Sequence, residues 1–174
     1  MNGYQHDRNW SDAFIPALRH IVGPLLLHEA PLEVDREQAA DLVVLTGRNM
    51  TVACRVRRPG YAHRYPWDFT IRARRENGSK TELAKIVEGW ADWLVYAHAD
   101  ENFGLGRWFV LDLDAFRAAL IRQAAIRDRQ ETSNGDGTSF LAYDVREIPG
   151  LVIAASVRIP DLALAPGAYD EPAA

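Results

Sequence analysis

The chain has 174 residues, 48% hydrophobic and 25% charged, with a formal net charge of −4. That size and balance suit one globular domain able to bury a core without staples. A single cysteine, Cys54, excludes an internal disulfide and a zinc site built on several thiolates of one chain. No apolar run is long enough to cross a bilayer, and residues 1–12 carry no apolar signal core, so the expectation is a soluble, cytoplasmic protein.

Asn9-Trp10-Ser11-Asp12 offers capping side chains for a first helix with apolar residues at Phe14, Leu18, Ile21 and Val22, closed by Gly23-Pro24. After an acidic approach from Glu33 to Ala40, Asp41–Leu45 predicts a strand. Gly47-Arg48-Asn49 predicts a turn into a second strand, 50–57, and hence a hairpin. In that second strand Val52, Cys54 and Val56 share one face, which makes Cys54 a buried thiol. Ala53, Arg55 and Arg57 share the other. Tyr61 to Trp67 is an aromatic, basic loop, and Asp68–Arg74 a third strand carrying Arg72 and Arg74 on one face.

Thr81 caps what the spacing predicts as the longest helix, Glu82 to about Ala99. Leu83, Ile86, Val87, Trp90, Leu94 and Ala97 form its buried stripe. A fourth strand is expected over 108–113 and a helix from Asp114 to about Ala125. A polar loop over 128–138 and two last strands, 139–143 and 151–157, follow. The fold class expected is α/β: a single domain over 1–160 with a mixed central sheet flanked by helices in αβββαβ order. Residues 161–174 form an Ala- and Pro-rich flexible tail.

The charge is segregated. Arg55, Arg57, Arg58, Arg64, Arg72, Arg74 and Arg75 fall within 21 residues that hold one acid, Asp68. If Arg55, Arg57, Arg72 and Arg74 lined one bare sheet face they would repel one another unless an anion covered them, which points to phosphate. Tyr61, Tyr65 and Trp67 interleave with His63 and Arg64, a mix suited to stacking on bases, although core packing is the plainer role for Trp67. Lys80 and Lys85 lie near the start of the helix capped by Thr81. The five histidines, His6, His20, His28, His63 and His98, show no metal-ligand spacing.

An acid at the start of one strand, with a basic residue fourteen positions later on the next, suits a metal-dependent nuclease, and Asp41 and Arg55 have that spacing. With Asp41-Leu42-Val43-Val44-Leu45, Ala53-Cys54-Arg55-Val56-Arg57-Arg58, Asp68-Phe69-Thr70-Ile71-Arg72 and Thr81-Glu82-Leu83-Ala84-Lys85-Ile86, residues 9–117 resemble the PD-(D/E)XK nuclease superfamily, in particular its small phage-encoded members. The resemblance implies Asp41 as a Mg²⁺ ligand, with Arg55 and Arg57 as catalytic cations; the basic cluster and the helix start add Arg58, Arg64, Arg72, Arg74, Lys80 and Lys85 as contacts to DNA or another nucleic acid. It departs from the family at Ala53, where a second acid is usual, and at Arg55, where lysine is usual. Two functions follow as expectations. One is a Mg²⁺-dependent DNA nuclease. The other is a non-catalytic phage accessory or defence-inhibiting (anti-CRISPR-like) binding protein, with a homodimer or another protein partner as a further option.

Overall fold

A computed structural model describes residues 9–10, 12–29, 42–44, 50–157 and 159. The chain divides into two compact units, Met1–Met50 and Thr51–Ala174. In the first, helix α1 spans Ile15–Val22, with Pro16 in its first turn and Phe14 at the N-cap without a side-chain cap bond. A 3₁₀ turn, Gly23–Leu26, leads into strand β1, Leu27–Glu29, which pairs antiparallel with β2, Leu42–Val44.

The second unit is α/β and contains two sheets. Its strands are β3 Val52–Arg57, β4 Asp68–Arg75, β5 Trp93–Ala99, β6 Leu105–Asp112, β7 Thr132–Ser133, β8 Thr138–Asp144 and β9 Val152–Ala155. The four-stranded sheet runs β3-β5-β6-β9, with β3 and β5 parallel and the other pairs antiparallel. The three-stranded sheet runs β4-β8-β7 and is antiparallel throughout. Helices α2 Tyr61–Arg64, α3 Glu82–Val87, α4 Leu113–Arg122 and α5 Ala124–Arg127 connect them. Asp112 caps α4, its Oδ1 accepting from Asp114 N and Ala115 N. The expected 114–125 helix therefore breaks at Gln123 into two, and the expected 128–138 loop includes the short β7.

Two expectations are corrected by this topology. The hairpin of 41–45 with 50–57 does not form: β2 pairs with β1, and β3 pairs with β5. Nor do β3 and β4 share a sheet, so Arg55 and Arg57 do not lie on one face with Arg72 and Arg74. The long helix is the third correction. Only Glu82–Val87 is helical, and Trp93–Ala99 is the strand between β3 and β6. Gly89 ends the helix at φ +83°, a conformation that costs a residue without a Cβ little. Its N–H donates to Ile86 O and that of Trp90 to Lys85 O, the paired bonds of a Schellman stop. Thr81 caps the other end as expected, its hydroxyl accepting from Ala84 N.

The main core lies between strands and helices of this unit: Phe69 and Ile71 of β4, Leu94 and Tyr96 of β5, Phe109 and Leu111 of β6, Phe116 of α4, and Leu141 and Tyr143 of β8. Phe69, Phe116 and Tyr143 form a triangle of rings with centroids 5.0–5.7 Å apart. Trp90, expected in the buried stripe, is instead 59% exposed, with Lys80 Nζ 4.8 Å and Lys85 Nζ 5.9 Å from its ring centroid. Among the described residues no helix is long and apolar enough to cross a membrane.

These placements predict unequal costs for two aromatic truncations. Phe116→Ala should destabilise by about 3–5 kcal/mol, because a fully buried ring is lost. Trp90→Ala should cost about 0.5 kcal/mol or less, as for a surface change. Urea unfolding of both variants checks this; equal costs would refute the helix stop at Gly89.

Candidate nucleic-acid interface

The site residues expected from the sequence separate into three environments. The first is the contact between β3 and β4. Arg55 Nη1 donates to Thr70 O at 2.6 Å and pairs with Glu82 Oε2 at 3.0 Å; Glu82 Oε2 also accepts from Arg72 N at 3.0 Å. β4 is the outer strand of its sheet, so Thr70 O and Arg72 N are ladder groups with no neighbouring strand. The ion pair supplies both partners. Nearby, the hydroxyls of Thr70 and Tyr96 are 3.1 Å apart. Arg55 is thereby a bridge between two sheets, and Ala53, two residues earlier on the same strand face, packs against the core. Glu82→Ala should cost about 2 kcal/mol, since it strands a half-buried guanidinium and a backbone N–H. Thermal unfolding measures it, and Glu82→Gln, which keeps the acceptor, should recover part of the loss.

The second environment is the carboxyl end of the parallel pair β3–β5. Register across the first sheet places side chains in rows: Ala53–Leu94–Leu111, then Arg55–Tyr96–Phe109, then Arg57–His98–Arg107. The last row lies where the parallel strands end, the part of an α/β sheet that binds ligands. His98 is 2% exposed, and neither ring nitrogen has a hydrogen-bond partner. Burial first, then the charges of Arg57 and Arg107, push its pKa down from 6.5 to about 4. Arg107 donates to Pro66 O at 3.0 Å and lies over the Trp67 ring at 4.8 Å. Arg57 lies over the Tyr61 ring at 4.3 Å, and Arg64 over Tyr65 at 5.3 Å. Arg58, His63 and Arg64 are exposed, as are Tyr61 at 42% and Tyr65 at 40%. Pro59-Gly60 ends the strand, and Gly60, at φ +89°, reverses the chain into α2, so that strand end and helix present these groups together. From Arg55 to Trp67 there is no acidic residue.

The third environment is α3 and the second sheet, where the cations have partners. Arg74 Nε lies 3.6 Å from Glu131, Lys80 Nζ 2.6 Å from Glu88, and Arg75 Nη1 donates to Ser79 Oγ at 3.2 Å. Lys85 faces Trp90, and Arg72 is half-buried. The expected single arginine face is therefore corrected: the sequence cluster is divided between a sheet-to-sheet bridge, a strand end and a second sheet. Cys54 is exposed, not buried as expected, although desolvation by surrounding protein still pushes its thiol up.

Asp41, the expected Mg²⁺ ligand, lies outside the described residues. Among the described residues no group of three His, Cys, Asp or Glu side chains converges as a metal site. Asp68 and Asp144 stand opposite one another across β4 and β8. Burial and then Asp144 raise the Asp68 pKa, while Arg146 grips Asp144 through Nε and Nη2 and overcomes the burial that would raise its pKa. Arg57 and Arg58 lie at the end of β3 and Arg64 lies in the helix that follows it. His98 and Arg107 were missed, because only strand pairing joins positions so far apart in the chain.

Comparison with known proteins returns no match: no family model fits the sequence, no curated protein is similar to it, and no solved structure matches it.

The depressed His98 pKa has a definite sign. Below about pH 6.5 the unfolded chain binds a proton that the folded chain refuses until about pH 4. Stability should therefore fall as pH drops through that window, by roughly 3 kcal/mol in total. His98→Phe should lack this component. Urea titrations at several pH values test it, and parallel stability curves for the two proteins would show that His98 titrates alike in both states.

Proposed function

We propose that this chain is a nucleic-acid-handling protein that grips strand phosphates and bases through the β3 end and α2. The observation that carries the reading is the acid-free segment Arg55–Trp67. In it Arg57 and Arg64 stack on two exposed tyrosines, Tyr61 and Tyr65, and Arg58 is exposed at the strand end. Guanidiniums supply phosphate contacts and exposed rings supply stacking platforms, the two components that bind single strands with little sequence preference. A chain of net charge −4 can do this because the local field, not the total, meets the ligand.

Binding is favoured over cleavage. Arg55, expected as a catalytic cation, is held by Glu82 and Thr70 O, and Ala53 packs against the core. A PD-(D/E)XK-like, Mg²⁺-dependent nuclease centred on Asp41 is the competing reading, carried by the Asp41-to-Arg55 spacing. An accessory or defence-inhibiting protein in a phage is compatible with binding alone.

The test is a salt titration of oligonucleotide binding. Replacing Arg57, Arg58 and Arg64 together with Glu should abolish most affinity and reduce the log–log salt slope by roughly 0.7 per lost contact on single strands. Arg74→Glu, on the second sheet, should leave both nearly unchanged. Tyr61→Ala with Tyr65→Ala should weaken binding by about 1–3 kcal/mol per stacked base with an unaltered salt slope. Triple-variant binding equal to wild type would exclude this surface. Mg²⁺-dependent cleavage by the wild type, lost in Asp41→Asn, would establish the nuclease reading instead.

A further inference from the structure

The row Arg57–His98–Arg107 contains a feature that surface binding does not use. Buried polar groups are almost always hydrogen-bonded, and an orphaned one costs free energy. His98 has two orphaned nitrogens at 2% exposure. It sits in register between two arginines that have no ion-pair partner among the described residues, at the carboxyl end of two parallel strands. Two like charges flanking an unsatisfied imidazole make a site that is incomplete without an anion.

We propose that Arg57, His98 and Arg107 form a subsite for a terminal phosphomonoester of a nucleic-acid strand. This rests on the nucleic-acid reading above and deepens it from backbone binding to end recognition. Three considerations select the ligand. The first is charge: a terminal phosphate carries about −1.5 to −2, matching two guanidiniums, whereas an internal diester carries one negative charge. Reach is the second. Arg57 and Arg107 are half-buried and His98 lies buried between them. Both ring nitrogens are closed off from solvent, so an anion reaches them only when the Arg57 and Arg107 side chains part; a group projecting past the last sugar can enter that gap, whereas a diester flanked by sugars on both sides cannot. Geometry is the third. Arg57 and Arg107 stand on strands separated by β5, so their backbones are roughly 10 Å apart. Long side chains converging from that span can each fork onto one phosphate, with the imidazole N–H donating to a third oxygen.

The two stacked rings fit this arrangement. Tyr61 under Arg57 and Trp67 under Arg107 hold the guanidiniums at the rim while leaving N–H groups for an anion. Arg107 spends one donor on Pro66 O and keeps the rest of its fork. Asp144, close in the chain to Arg146 and bound by it, is already neutralised and does not oppose the incoming charge.

The experiment compares fluorescently labelled oligonucleotides of one sequence ending in hydroxyl, 5′-phosphate or 3′-phosphate. One phosphorylated end should bind about tenfold more tightly than hydroxyl, the value of one charge-assisted hydrogen bond. Which end it is identifies the polarity of the bound strand. Arg107→Gln and His98→Gln should bring that ratio close to one. Because His98→Gln can unfold the core, the ring ¹⁵N signals of His98 are followed in the wild type during titration with inorganic phosphate, and should shift saturably. Equal affinity for all three ends overturns the subsite and leaves the nucleic-acid reading standing. Failure to bind any oligonucleotide overturns the nucleic-acid reading. In that event, saturable phosphate-induced shifts of the His98 ring, lost in Arg107→Gln, support the anion site on its own, and unmoved signals overturn it.

Discussion

β4 has a neighbour on one side only, and the Arg55–Glu82 ion pair completes the other. An open sheet edge presents N–H and C=O groups that invite a foreign strand. Here a cation from β3 takes the carbonyl of Thr70 and an anion from α3 takes the N–H of Arg72, so two side chains replace one residue of a missing strand. The same contact ties three elements together: the outer strand of the first sheet, the outer strand of the second and the short helix between β4 and β5. An ion pair this shielded from water contributes little over an apolar contact of similar shape, yet removing either half is costly. Its value lies in specifying one arrangement of the two sheets, and the triangle of Phe69, Phe116 and Tyr143 then fills the interior that arrangement defines.

Much of the local structure was legible in the sequence. Strands β3, β4, β6 and β8, the Thr81 cap and the helix after Asp112 follow from turn residues, capping side chains and alternation. What failed was the segment after Val87. Leu94 to Ala99 is buried throughout, so it has no polar face to report a period of two. Leu83, Ile86, Val87, Trp90, Leu94 and Ala97 happen to match helical spacing as well. The discriminating signal was Gly89, a helix terminator seven residues after Glu82, followed by an aromatic and apolar run of strand length. Pairing failed for a different reason. Gly47-Arg48-Asn49 has the composition of a hairpin turn, whereas β3 pairs with β5, a segment whose apolar spacing also fits a helix.

The site shows the same division. The arginine cluster was visible as composition, but composition cannot say which members share a surface. Strand parity directed Arg55 and Arg57 to one face, and distance from the second sheet then gave them different fates: Arg55 bridges to β4, while Arg57, one turn of the pleat further, reaches the strand end. Arg74 and Lys80 were indistinguishable from Arg64 in the sequence and are set apart by Glu131 and Glu88. His98 offered no signal at all. A lone histidine in an apolar run has no motif, and its two orphaned nitrogens exist only once β3 and β6 flank it.

The order in which the strands pair has a kinetic consequence. The connection from β3 to its parallel partner β5 contains β4, which belongs to the other sheet, and β4 in turn waits for β8, far along the chain. The first sheet can gain a local β5–β6 hairpin early, but β3 joins it only after the intervening chain has closed a long loop. That loop is itself organised by a strand whose partner has not yet been reached. Contacts of such high sequence separation place loop-closure entropy before the contacts that offset it, so folding is slow relative to a helical protein of equal stability. The interleaving also means that each sheet is assembled from segments that flank a strand of the other. The buried strands at the centre of each sheet thus depend on closure of the other, whereas exposed segments such as β7 can open by themselves.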